Sequence, residues 1–141
     1  MLDLMKRQSV DLLIGQFWKN GYLTISRKYG TYLPEPKRMG GFEVDIIARY
    51  KKDYAIGITL NEEDLENPEL KNKIYFLATR QTKSSNKDVL LFVGIPSDLR
   101  KKIEFIISTL DENVRKNIKI QFFNHPLNSD NKSKKKKTFL N

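Results

Sequence analysis

The sequence predicts an α/β protein, a three-layer α-β-α sandwich around a mixed sheet, and three observations carry that prediction. Apolar residues recur at helical spacing near both ends of the chain. Three β-branched runs follow one another between residues 22 and 60. A continuous apolar run at 88–95 lies between helical segments, as expected of a strand covered on both faces. The 141 residues suit one compact domain, placed at 1–125, and 39% hydrophobic content with 11% aromatic supplies a core.

The first helix spans residues 3–20, because Val10, Leu13, Ile14, Phe17 and Trp18 keep i, i+3, i+4, i+7, i+8 spacing before Asn20-Gly21 closes it. Phe17, Trp18 and the later pair Phe122-Phe123 are assigned to the core. Tyr22 to Ser26 alternates as a first strand. Residues 30–41, with Pro34 and Pro36, form a loop that is either a plain connector or, with Tyr29, Tyr32, Lys37 and Arg38, part of a groove for a nucleic-acid backbone.

Gly40-Gly41 lead into a second strand at 42–50, where a period of two sets Glu43, Asp45 and Ile47 on one face and Phe42, Val44, Ile46 and Ala48 on the other. Lys51-Lys52-Asp53 turns into a third strand, Tyr54 to Leu60. Ala55, Gly57 and Thr59 share one of its faces, with Asn61 continuing it, and such small residues leave space. After the acidic run 62–66, Asn67-Pro68-Glu69 reads as the start of a helix that turns Leu70, Ile74, Leu77 and Ala78 inward and ends near 80–83. The apolar strand at 88–95 follows. Pro96-Ser97-Asp98 then caps a helix carrying Leu99, Ile103, Ile106, Ile107 and Leu110, and 117–123 is the closing strand.

The formal net charge is +9, of which Lys132 and Lys134 to Lys137 contribute five, leaving about +4 for residues 1–130. That balance favours polyanionic partners, DNA or RNA first, against the alternative of merely solvated lysines. Residues 126–141 are expected to be a disordered, lysine-rich tail. No run approaches the ~20 apolar residues of a membrane span, and the first residues lack the order of a signal peptide, so a soluble, cytoplasmic protein is expected. The absence of cysteine excludes disulfides and thiol chemistry. A lone His125, expected at the surface, cannot form a histidine cluster, so any metal would be held by oxygen, with Mg²⁺ or Mn²⁺ first.

Asp45 is the residue that demands explanation. A carboxylate between Val44 and Ile46 is costly to bury unless it is paired, hydrogen-bonded or holding a cation. Asp11, on the border of the first helix's apolar face, either leans towards such a site or is simply solvated.

The stretch Gly41-Phe42-Glu43-Val44-Asp45-Ile46-Ile47-Ala48-Arg49 resembles the metal-binding strand of the restriction-endonuclease-like PD-(D/E)xK superfamily, near the archaeal Holliday-junction resolvases and small bacterial endonuclease-like proteins. The order helix, three strands, helix, strand over residues 3–95 is similar as well. The resemblance implies that Asp45 binds a metal, with Glu43 beside it and an acid of the first helix, nearest Asp11, in support. It also implies an acid and a lysine on the third strand, for Mg²⁺-dependent phosphodiester hydrolysis. Thr59 and Asn61 occupy those positions, and neither is charged at neutral pH.

Several readings follow. The fold is retained for nucleic-acid binding with catalysis weak or lost. Alternatively, Glu43, Glu62 or Glu63 with Lys71 or Lys73 rebuild an active Mg²⁺-dependent endonuclease. Or the resemblance is accidental and Asp45 is a structural carboxylate, bonded to Arg49 or a backbone amide; separately, the chain is a protein-interaction module in which the acidic run 62–66 and the tail meet other proteins. On the first two readings Lys37, Arg38, Arg49, Lys51, Lys52, Arg80 and Lys83 contact nucleic acid; a homodimer is a further open alternative.

Overall fold

A computed structural model describes residues 2–83 and 85–124. Helix α1 (Leu2–Lys19) precedes strands β1 (Leu23–Arg27), β2 (Ile46–Tyr50) and β3 (Asp53–Thr59). A one-turn helix α2 (Glu62–Leu65), helix α3 (Leu70–Ala78) and strand β4 (Leu90–Pro96) follow. After a 3₁₀ turn at Ser97–Leu99 come helices α4 (Arg100–Ser108) and α5 (Glu112–Arg115) and strand β5 (Ile118–Phe123). The five strands lie side by side in chain order, β1 to β3 antiparallel, β4 and β5 parallel to β3. The protein is therefore mixed α/β with a mixed sheet. His125 and the tail 126–141 lie outside the described residues.

Each face of the sheet has its own core. On one, α1 buries Val10, Leu13 and Phe17 against Ile46, Ala48, Ala55 and Phe92. On the other, α3, α4 and α5 bring Ile74, Leu77, Ile103 and Val114 onto Ile56, Ile58, Leu91 and Val93. The space left by the small face of β3 is filled by α1: a Cβ on Gly57 would stand 2.8 Å from the Phe17 ring and 3.1 Å from Leu13. Among the described residues no helix is long and apolar enough to cross a membrane.

Three departures from the sequence reading matter for the site. First, β2 begins at Ile46 rather than at residue 42. Gly40 and Gly41, both at positive φ, make a tight turn in which Met39 and Phe42 exchange backbone hydrogen bonds, and the chain bends again at Asp45. The alternation consequently changes phase: Val44 joins the core beneath α3, whereas Ile46 and Ala48 join the core beneath α1.

Second, the acidic run is the short helix α2, with Asn61 as its N-cap. The Asn61 side chain accepts from the Asp64 N–H while Asp64 accepts from the Asn61 N–H, a capping box. The next helix starts at Leu70, because the Asn67 side chain accepts from the Glu69 N–H in the turn before it. Third, Trp18 is 69% exposed and not part of the core. The buried stripe is Val10, Leu13 and Phe17, and one further residue rotates about 100° around the helix, away from the sheet. Helix α5 was not foreseen at all.

Candidate functional site

Asp45 is 4% exposed and sits where the start of β2, the end of β3 and the first turns of α1 meet. Its backbone continues the ladder, donating to the Gly57 carbonyl and accepting from the Lys28 N–H, both at 2.9 Å. Its carboxylate is heavily engaged. Oδ2 accepts from the Thr59 N–H at 2.7 Å, the Thr59 hydroxyl at 3.0 Å and the Lys6 ammonium at 3.1 Å. Lys6 also donates to the Thr59 carbonyl at 2.9 Å, so one ammonium ties α1 to both strands. The Lys28 ammonium lies 4.0 Å from Oδ1 and bonds Glu43.

Glu43, more than half exposed, is held by Lys28 and by Arg38 at 3.1 Å, and Arg38 also donates to the Gly41 carbonyl. The hydrogen bond and charge of Lys28 hold the Glu43 carboxyl below its usual range. For Lys28, burial works to lower the pKa, but the bond to Glu43 and the charges of Asp45 and Glu43 outweigh it and the net direction is upward. The Gly40 turn rests on the Phe76 ring of α3, which fixes Arg38 and Glu43 over a cleft of about 260 Å³. Asp64, Glu69 and Lys73 line its other side. Burial pushes the Lys73 ammonium below its ordinary pKa, against the pull of Asp45.

Of the residues singled out from sequence, the structure brings Glu43, Asp45 and Thr59 together, with Lys73 and Arg38 beside them at the same cleft, and leaves the other acids and Lys71 elsewhere. Asp11 is exposed and paired with Arg27 at 2.6 Å. Asn61 caps α2, and Glu62 faces Lys102 of α4 at 3.4 Å. Glu63 lies with Glu62 and Asp98 in a separate groove, and Lys71 is exposed. Arg49 is not the partner of Asp45; it stands on β2 opposite Leu23 and Tyr54.

Lys6 was missed, yet its signal was present. It continues the stripe 6, 10, 13, 17 towards the N-terminus, so it is a lysine at a core-facing helical position. Lys28 had no comparable pattern, since it follows β1 and meets Asp45 only through the pairing of β1 with β2.

This donor set does not fit a divalent cation. Magnesium requires near-octahedral oxygen ligands at about 2.0–2.1 Å. Here one carboxylate is buried, its Oδ2 already accepts three donors, and its charge is met by ammonium groups. Among the described residues no group of three or more His, Asp or Glu is placed to hold a metal. The arrangement is suited to locking α1, β1 and the 38–43 loop onto the end of β3.

The expected nucleic-acid contacts divide between the two ends of the sheet. Lys37 and Arg38 belong to the loop beside Asp45. Arg49, Lys51 and Lys52 lie at the other end of β2, where Tyr50 pairs with Asp53. Arg80 and Lys83 follow α3 and precede β4, whose Leu90 pairs with Ala55 near the start of β3. They therefore share the far end with Lys51 and Lys52, about 20 Å from Asp45 at ~3.3 Å per strand residue. The last turn of α1 arrives there too, since a Cβ on Gly21 would touch the Tyr50 ring at 3.1 Å.

Residues 16–21, 49–53 and 80–88 hold seven Lys or Arg against Asp53 and Asp88, whereas at the Asp45 end the five acids of residues 61–69 stand with Lys6, Lys28, Lys37, Arg38 and Lys73 in a mixed-charge neighbourhood. Comparison with protein-family models, curated proteins and solved structures finds no match to the chain.

Proposed function

We propose that this chain is a nucleic-acid-binding protein on a restriction-endonuclease-like fold, in which the family's metal-binding aspartate position serves as a structural ion-pair network. It binds without cleaving through a metal. The order helix, three antiparallel strands, helix, parallel strand supports the fold assignment. The observation that carries the function is the basic far end, where Arg49, Lys51, Lys52, Lys83 and Lys87 are gathered by the β2–β3 turn and the 80–88 connection, while the Arg80 guanidinium folds back 3.7 Å over the Phe76 ring. Asp53 pairs with Lys87 at 3.0 Å, which leaves Arg49, Lys51, Lys52 and Lys83 as the cations offered to a phosphate backbone. At the Asp45 end the cations Lys6, Lys28 and Arg38 are instead taken up by Asp45 and Glu43.

Fluorescence anisotropy of labelled DNA and RNA oligonucleotides in EDTA tests this directly. Binding is expected, with log Kobs falling linearly in log salt by about 0.9 per phosphate neutralised on a duplex. The double variant Lys51→Ala, Lys52→Ala is expected to reduce that slope by about two. Absence of binding at low salt overturns the reading.

A further inference from the structure

Resting on the nucleic-acid reading, we infer that the ligand class is single-stranded nucleic acid, with Trp18 and Tyr50 as a platform on which unpaired bases stack. Trp18 is 69% exposed and Tyr50 41% exposed, a large apolar surface for a protein to leave in water. Both belong to the basic end. The Trp18 backbone carbonyl accepts the Gly21 N–H at 3.0 Å in the turn that closes α1, and that turn rests on the Tyr50 ring.

The platform is braced from behind. The Tyr22 ring stands 5.9 Å from Tyr50 and 5.7 Å from buried Phe17. That packing restricts the Tyr50 ring, which lowers the entropy lost on stacking. The Lys51 ammonium stands 5.4 Å over the Tyr50 centroid, a cation that an incoming base and its phosphate would displace and engage, and Lys19 is the next residue of α1 after Trp18. Exposed aromatic faces interleaved with lysines are the chemistry that holds a single strand, because every base offers a face and every linkage a charge. A duplex keeps its bases stacked inside and would use the lysines alone.

Trp18 is the chain's single tryptophan, so its emission reports on the platform alone. The experiment titrates the full chain with oligothymidylate, oligouridylate and a mixed-sequence duplex, reading Trp18 emission and probe anisotropy together. Both single strands are expected to quench Trp18, with the ratio of their affinities separating DNA from RNA. Trp18→Ala is expected to weaken single-strand binding at least about fivefold, Trp18→Phe to recover part of it, and duplex binding to change less than about twofold.

An unchanged melting temperature of Trp18→Ala shows that folding is not the cause, as its exposure predicts. If single strands saturate by anisotropy while Trp18 emission is unmoved, or if Trp18→Ala binds them like wild type, the platform is refuted and the nucleic-acid reading stands. If neither strand nor duplex binds, both fall.

Discussion

Replacing Asp45 by alanine separates a structural carboxylate from a metal ligand by the sign of the stability change. In the structure, Oδ2 accepts from the Thr59 N–H, the Thr59 hydroxyl and Lys6. Asp45→Ala leaves the Thr59 N–H buried without a partner and strips Lys6 of its counter-charge. The Thr59 loss alone costs about 1–3 kcal/mol, and removing one member of a buried ion pair costs about 3–5 kcal/mol.

The Lys6 side chain is 28% exposed, so water recovers part of its solvation and the lower end applies, about 3 kcal/mol. For a chain of this size, that lowers Tm by roughly 10 °C. A carboxylate that serves a metal behaves oppositely without the metal, since its removal relieves repulsion among crowded acids. Thermal unfolding in EDTA, read by circular dichroism, is the assay. An equal or higher Tm for Asp45→Ala, or a rise in wild-type Tm on adding excess Mg²⁺, refutes the structural account.

Other predictions follow from the same geometry. Gly57→Ala places a methyl against Phe17, Ile46 and Leu13 and is expected to destabilise by about 1–3 kcal/mol in urea unfolding; a neutral effect would mean that α1 packs less tightly on β3 than described. Lys73 has a lowered folded pKa, so the unfolded chain holds more protons between that value and 10.5, and stability rises with pH across the window. Lys73→Met is therefore expected to raise the urea midpoint at neutral pH and to abolish that alkaline rise. Glu43 has its folded pKa lowered below 4.5, so its contribution is complete above 4.5 and is lost as pH falls through the lowered value. Glu43→Gln should flatten that acid limb, and an unchanged limb would contradict the Lys28 pairing.

How much of this was legible in the sequence depended on whether local pattern or tertiary contact decided the outcome. The inward set Leu70, Ile74, Leu77 and Ala78 was readable because helical spacing alone determines it. The vacant face of β3 was readable from Ala55, Gly57 and Thr59, though not that Phe17 and Leu13 fill it.

Asp45 was recognisable as costly, but its phase was not, because the Gly40-Gly41 turn and the bend at Asp45 reset the alternation that period-two counting assumes. Trp18 was misassigned by a single residue of helical rotation, which is within the angular width of an apolar stripe. The gathering of residues 49–52 and 83–87 at one end of the sheet needed the strand register, which no local pattern encodes.

Both ends of the sheet can be compared in one binding experiment without divalent metal. Oligonucleotide affinity in EDTA is measured for wild type, for Lys51→Ala with Lys52→Ala, and for Lys37→Ala with Arg38→Ala. Salt-sensitive binding is expected, weakened strongly by the first pair and kept within about twofold by the second. Binding lost with the Lys37 and Arg38 pair instead, or cleavage on adding Mg²⁺ that disappears in Asp45→Ala, would place the nucleic acid at the Asp45 end and contradict binding at the far end.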